Sequence, residues 1–324
     1  MTQTYRELEL PSLNQFYTKP YYETKPGGTD VYFFGMPTSG QTCLLMGLMG
    51  SDGMGCSVNF HAKGGLYASA LIHYLKAGEL PAMHVGNFVS TIRATIEEKG
   101  KKGEILNHEI NFVELPCEQF ACRIANNNDT INIEDMGSGT MKLLQNNNRK
   151  VFFLVVDPTK DILRITYGKP VRDTNGNIIG IDKKALCIDQ TFCLNKFISL
   201  FQMPENKEFM KKVDAIHFIV TKADLLGRTD QERKERARDL LLAKYQGPIR
   251  NLITFCRRSK RINYATDFKP MVYPFSLGRF SDDRTFEYDN RSSLAIIDAL
   301  RHMTAAKKEG SFWDELRDCL IKPL

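Results

Sequence analysis

The chain has no apolar run near the roughly 20 residues that a bilayer-spanning helix requires, so no transmembrane segment is expected. Its start, MTQTYRELELPSLNQ, lacks the basic-then-apolar order of a signal peptide, which points to the cytoplasm. None of the eight cysteines forms a C-x-x-C pair, and several sit inside apolar periodic segments. That excludes a zinc ribbon or a disulfide framework and fits reduced, structural thiols. The six histidines are scattered without ligand spacing. No Ser-His-Asp or Cys-His arrangement stands out, and there is no repeat or low-complexity tract. The excess of 44 Lys and Arg over 38 Asp and Glu gives a net charge of only +6 over 324 residues. A charge so dilute carries no nucleic-acid signal. What remains is a globular composition, 42% hydrophobic and 25% charged, long enough for one large α/β domain or two small ones.

Residues 31–45, VYFFGMPTSGQTCLL, organise the chain. Four β-prone residues run into Gly35, Gly40 follows at P-loop spacing, and apolar residues then recur at helical spacing. This is the strand–loop–helix outline of G-x-x-x-x-G-K-[ST]. Thr42 is in place, but Gln41 stands where the lysine belongs. Backbone N–H groups and the start of the following helix can cradle a phosphate without any side chain. Gln41 cannot bring positive charge to the β- and γ-phosphates. The plain alternative is an ordinary glycine-rich turn.

Residues 1–30 read as an N-terminal arm, residues 31–280 as the main domain, and residues 281–324 as C-terminal helices packed on it. Within the domain, helices are expected over 41–49 and 66–75. Alternating residues over 91–97 and 109–114, around a Gly/Lys turn, predict an antiparallel hairpin. VFFLVV at 151–156 and AIHFIV at 215–220 are uninterrupted apolar runs that suit strands buried on both faces. A hairpin insertion is expected near 162–182, then a helix over 184–201 and two more across 229–262. A last strand covers 271–275, with closing helices at 291–303 and 312–321. Strand alternating with helix predicts an α/β, mostly parallel sheet with helices on both faces, whose ligands sit at the carboxyl ends of the strands.

Two further segments fall at such ends. Glu114-Leu115-Pro116-Cys117-Glu118-Gln119 follows the hairpin. Thr221-Lys222-Ala223-Asp224 (TKAD) follows the strand at 215–220, and Ser276-Leu277-Gly278 follows the last strand. A lone Lys and Asp often mark only a helix start, and Glu118 and Gln119 are also what a solvated turn would carry.

In their order, these segments resemble the motifs of P-loop GTPases of the translation-factor-related and Ras-like class, over residues 31–278. TKAD resembles N-K-x-D, with Thr221 for Asn. Glu114 and Cys117 stand in for the Asp and Gly of D-x-x-G. The resemblance implies a three-layer P-loop fold with a six-stranded sheet, one strand antiparallel. It implies GTP or GDP held by Gly35, Thr38, Ser39, Gly40, Gln41, Thr42 and Cys43, with guanine read by Lys222, Asp224, Ser276 and Leu277. It implies Mg²⁺ on Thr42, Glu114 and Thr91 of a first switch at 79–91, with Ser90 and Thr95 as rivals to Thr91. Glu118 or Gln119 would orient the attacking water, and an arginine finger would come from Arg123, another chain or nowhere. The lengths of 50–90 and 162–182 resemble larger bacterial GTPase-like domains.

Gln41, Glu114 and Cys117 all depart on the γ-phosphate side, while the base side, with Lys222 and Asp224 in place, is better kept. The expected function is a guanine-nucleotide-binding switch with weak or partner-dependent GTP hydrolysis, meeting other proteins through its switch loops or C-terminal helices. The alternative is a pseudo-GTPase scaffold that does not hydrolyse nucleotide. An ATP-dependent kinase or transferase would leave TKAD idle.

Overall fold

The computed structural model describes residues 24–53, 56–60, 62–81, 90–100, 102–115, 143–172, 178–202, 206–259, 271–282, 284–304 and 307–308. In chain order these form β1 (Thr29–Gly35), α1 (Gln41–Met49), β2 (Cys56–Phe60), α2 (Ala62–Ala77), β3 (Ser90–Lys99), β4 (Ile105–Glu114) and β5 (Arg149–Val156). There follow β6 (Ile162–Arg172), β7 (Ile178–Asp189), α3 (Gln190–Gln202), the single turn α4 (Lys207–Met210), β8 (Val213–Val220), α5 (Asp230–Lys244) and α6 (Gln246–Ser259). The chain continues through β9 (Val272–Pro274), β10 (Gly278–Phe280), β11 (Phe286–Tyr288), α7 (Arg291–Met303) and β12 (Lys307–Lys308).

The central sheet has seven strands in the order β2-β3-β4-β1-β5-β8-β9, joined by the two-residue β12, which pairs with β4. β4, β1, β5, β8 and β9 run parallel. β3 pairs antiparallel with both β2 and β4, and the short β12 also runs antiparallel to β4, so of the seven main strands β3 opposes the other six. Six strands were expected. The seventh is β2, a short run that pairs with β3 from Cys56↔Glu98 to Phe60↔Ala94 and covers what would otherwise be a bare edge.

Alternation along β1 divides the core in two. Val31 and Phe33 face α1, α2 and α7, while Tyr32 and Phe34 face α3, α5 and α6. Helices therefore cover both faces, which is why β5 reads VFFLVV with every residue from Val151 to Val156 fully buried. Phe33 lies between Phe112 and Phe153, with ring centroids 6.2 and 5.7 Å away. On the other face Phe152 stacks on Tyr32 at 4.9 Å.

The inserted hairpin is longer than the sequence suggested and forms its own two-stranded sheet, paired from Ile162↔Asp189 to Arg172↔Ile178. The helix expected from residue 184 begins instead at Gln190. Residues 184–189 are drawn into β7 because β6 supplies a full register for them. β1 begins at Thr29, so the arm's last residues already belong to the sheet. Helix 291–303 is as expected, preceded by the unexpected β10–β11 hairpin. The expected helix at 312–321 lies outside the described residues. Among the described residues, no helix is long and apolar enough to cross a membrane.

At the amino ends of β1 and β5 sits a buried polar knot. Asp30, with no exposed surface, accepts hydrogen bonds from the Nδ2 groups of Asn111, Asn146 and Asn148 at 2.7, 2.6 and 2.8 Å. Asn111 and Asn148 also bond the backbone of Lys25, fixing the segment that leads into β1. Lys150, equally buried, points its Nζ at Asn146 O, Asn146 Oδ1 and Asn148 O, at 3.1, 2.9 and 2.8 Å. Burial raises the Asp30 carboxyl above its ordinary value and brings the Lys150 amine down to about 8.

His217 on β8 gives the fold a pH dependence. It is 4% exposed, and its Nδ1 accepts the Met271 N–H at 3.1 Å, so the neutral ring carries its proton on Nε2. Burial lowers its pKa from 6.5 to about 4. The unfolded chain takes up this proton near pH 6.5 and the folded chain only near pH 4. Between those values the unfolded state binds more protons, so stability falls as pH falls. The expected loss from this group is on the order of 3 kcal/mol across the window. Denaturant unfolding between pH 7 and 4 measures it, and His217→Gln flattens that part of the profile.

Candidate functional site

Because β4, β1, β5, β8 and β9 are parallel, their carboxyl ends share one edge of the sheet. Gly35 ends β1, Glu114 ends β4, Asp157 follows β5, Thr221 follows β8, and Phe275 and Ser276 follow β9. The segments singled out in the sequence are brought together there.

The loop after β1 is tight. A Cβ on Gly35 would lie 2.5 Å from Ser39 Oγ and 2.6 Å from the Val155 carbonyl oxygen, so only glycine fits against β5. Gly40 takes φ 91° and caps α1 without a side-chain hydrogen bond, and no acidic residue sits in that helix's first turn. The first amides of α1 thus face outward with the positive end of the helix. Among the described residues, Thr38 and Lys222 are the non-glycine residues with positive φ, at 66° and 50°. Both belong to this edge, and such backbone outliers gather at functional sites. Thr38 Oγ1 and Ser39 Oγ are buried, with no hydrogen-bond partner among the described residues. Ser39 N–H closes a turn on Met36 O at 3.0 Å.

The side chain of Gln41 turns inward, with Nε2 donating to Phe33 O at 3.3 Å. Thr42 Oγ1 donates to Glu114 Oε1 at 2.6 Å, and Tyr67 of α2 donates to Glu114 Oε2 at 2.7 Å. Burial raises the Glu114 pKa, and the two hydroxyl donors oppose that rise. The Cys43 thiol, next along α1, is pushed up to about 11 by burial against the opposing charge of Lys222. It packs with the core and is not a reactive thiolate.

On the other side of the loop, Thr221 Oγ1 donates to Ser39 O at 2.6 Å and ties the TKAD segment to the glycine loop. Lys222 Nζ pairs with Asp157, a fully buried carboxylate whose Oδ1 accepts from Thr159 N–H and Oγ1 at 2.8 and 2.6 Å. Gln190 clamps the Asp157 backbone, accepting its N–H at 2.8 Å and donating to its carbonyl at 3.0 Å. Ser276 Oγ lies 2.8 Å from Asp224 Oδ1. The half-buried carboxylate of Asp224 thus abuts the loop after β9. Leu277 sends its side chain into the core, and its carbonyl accepts Asp289 N–H at 2.8 Å.

Register separates the candidate metal ligands. Ser90 pairs with Glu114 and shares its face of the sheet, whereas Thr91 pairs with Val113 and lies on the opposite face. Thr95, four pairs further on, lies 3.4 Å from Glu109 Oε2. Thr42 and Glu114 are therefore together, and Thr91 and Thr95 are not with them. Most of the expected first switch, together with Cys117, Glu118, Gln119 and Arg123, lies outside the described residues.

Sequence reasoning missed Tyr67, Asp157 and Gln190. Asp157 had a signal, an acid closing a fully apolar strand. Tyr67 and Gln190 had none, since their partners lie 47 and 33 residues away. Among the described residues, no group of three or more His, Cys, Asp or Glu side chains is placed to hold a metal ion. No protein-family model and no curated protein matches the chain.

The Thr42–Glu114–Tyr67 contact has a measurable weight. Tyr67→Phe removes one donor from a buried carboxyl, and the expected cost is about 1–3 kcal/mol of stability. Urea unfolding of the full chain measures it.

Proposed function

We propose that this protein is a guanine-nucleotide-binding switch with weak or partner-dependent GTP hydrolysis. The observation that carries this reading is the convergence at one sheet edge of the 35–40 loop, Thr42, the TKAD segment and Ser276, tied by the Thr221–Ser39 and Ser276–Asp224 contacts. Phosphates would lie against the amides of the loop and the uncapped start of α1. Asp224, oriented by Ser276, would accept hydrogen bonds from the guanine edge, with the Lys222 stem beside the base. The hydroxyl of Thr42 and the carboxylate of Glu114 are hard oxygen donors of the kind Mg²⁺ takes, with water and phosphate completing its shell. They would hold that ion, whose chemistry is to neutralise phosphate charge. Weak hydrolysis follows from Gln41, which brings no charge and turns toward Phe33 O.

One observation favours a second reading, a scaffold that does not cleave nucleotide. Both oxygens of Glu114 are engaged by Thr42 and Tyr67, which closes the γ-phosphate side. Calorimetric titration with GDP, GTP and ATP, with and without Mg²⁺, tests both. Micromolar binding of GDP and GTP, with ATP silent, is the expected result. Absence of binding for all three at millimolar concentration sinks the switch. Guanine-nucleotide binding with hydrolysis at background, in wild type and in Gln41→Lys alike, leaves the scaffold.

A further inference from the structure

Asp157, at the carboxyl end of β5, is a buried acid that the proposed nucleotide contacts leave without a task. It has no exposed surface, and both of its carboxylate oxygens are engaged. Oδ2 takes the ammonium of Lys222, and Oδ1 takes Thr159 N–H and Oγ1. Its backbone is gripped as well, because the Gln190 side chain accepts the Asp157 N–H and donates to the Asp157 carbonyl. The same Gln190 amide donates to Lys160 O at 3.2 Å and to Tyr245 OH at 2.7 Å. A carboxylate held from so many sides cannot follow a lysine, so the lysine must come to it. Lys222 is fixed at its other end too. Its backbone takes φ 50° and ψ 36°, one residue before the 3-10 turn Ala223–Leu225 that carries Asp224. With root and head both placed, the flexible four-carbon stem has one course to follow. The Lys222 side chain stays 34% exposed while its partner carboxylate is sealed. An apolar stem is thus drawn along the surface and tied down at its charged end.

We propose that Asp157 is a positioning residue for nucleotide binding: by holding the Lys222 ammonium it sets the lysine stem as a fixed support beside Asp224, against which the plane of the base rests. This inference rests on the guanine-nucleotide reading above. An untethered lysine keeps several rotatable bonds in motion, and a base that settles on it must first arrest them. Asp157 completes that ordering before the nucleotide arrives, which is how preorganisation raises affinity without a new contact to the ligand. Asp157 itself touches no part of the nucleotide in this arrangement. The bland role for the same pair is to tie the end of β5 to the end of β8, and the two roles differ in one respect. A tie between strands acts whatever the nucleotide meets, whereas a positioning role acts only through the Lys222 head.

The test is calorimetric titration of the full chain with GDP, as wild type, Asp157→Asn, Lys222→Met and the double variant. Methionine keeps an unbranched apolar stem and has no ammonium for Asp157 to hold. Asp157→Asn is expected to weaken GDP binding about tenfold in the wild-type background, the weight of the rotamer freedom that a lysine regains. In the Lys222→Met background the same change is expected to alter affinity by no more than about twofold. Undiminished affinity in Asp157→Asn overturns the proposal alone, and so does an equal loss in both backgrounds, which is the mark of a tie between strands. A wild-type chain that binds no guanine nucleotide overturns this inference together with the reading it rests on. Should Asp157→Asn not fold, the wild type decides by nuclear magnetic resonance of its lysine ammonium groups. The Lys222 signal, assigned by its absence in Lys222→Arg, is expected to be resolved before nucleotide is added and to persist with GDP. A signal averaged like that of a free lysine in the nucleotide-free chain overturns the proposal.

Discussion

Asp224→Ala is expected to weaken GDP binding by at least about a hundredfold while leaving the fold intact. A carboxylate accepting two hydrogen bonds from a guanine edge contributes about 1.5–3 kcal/mol through each, and every 1.4 kcal/mol is about tenfold in affinity. Asp224 is half-buried at the end of its strand, and Ser276 is the described residue that bonds its carboxylate. Its removal leaves a hydroxyl that can still bond Gly278 O, 3.0 Å away. Stability should therefore change by no more than about 1 kcal/mol. Calorimetry with GDP reads the first quantity and urea unfolding the second. Undiminished GDP affinity in a folded variant would falsify the assignment of the base to this end of the sheet.

The largest effect on stability is expected at the other end. Asp30→Ala removes the one acceptor shared by Asn111, Asn146 and Asn148. Three amide donors packed for a carboxylate then each lose that acceptor, and Lys150 loses the opposite charge that Asp30 supplies. Each buried donor left unpaired costs about 1–3 kcal/mol, and partial rearrangement brings the sum to about 3–5 kcal/mol. That is a large share of the roughly 5–15 kcal/mol that holds a typical domain folded. Chemical denaturation against wild type measures it. A loss below 1 kcal/mol, the range of an ordinary surface change, would show that the knot carries little weight.

The frame of the molecule was legible because burial on both faces writes itself into composition. VFFLVV and AIHFIV can be little else than central strands, and the glycines at 35 and 40 mark the turn between β1 and α1. What stayed hidden depends on neighbours rather than on local pattern. Residues 184–189 carry apolar side chains at helical spacing, yet the partner strand decides their state. CSVNF is too short to declare itself and becomes a strand only along β3. At the candidate site, strand-end positions pointed to Gly40, Thr42, Lys222 and Asp224. The Thr221–Ser39 link, the Asp157 partner of Lys222 and the Tyr67 lid on Glu114 are contacts between distant parts of the chain. Thr91 shows the limit most sharply, since a shift of one residue in register decides which face a side chain takes.

The β6–β7 hairpin leaves and rejoins the domain at a single point, where Gln190 N–H donates to Asp161 O at 2.8 Å. The Gln190 side chain reaches on from there to Asp157 and to Tyr245 OH, at 2.7 Å. The two ends of the hairpin are therefore already neighbours, and the host chain closes beneath it with or without the ribbon above. An appendage seated this way can lengthen, shorten or change sequence at almost no entropic cost to the sheet. It makes the 162–189 segment the part of the molecule best able to diverge, while the strand ends that hold Lys222 and Asp224 stay where they are.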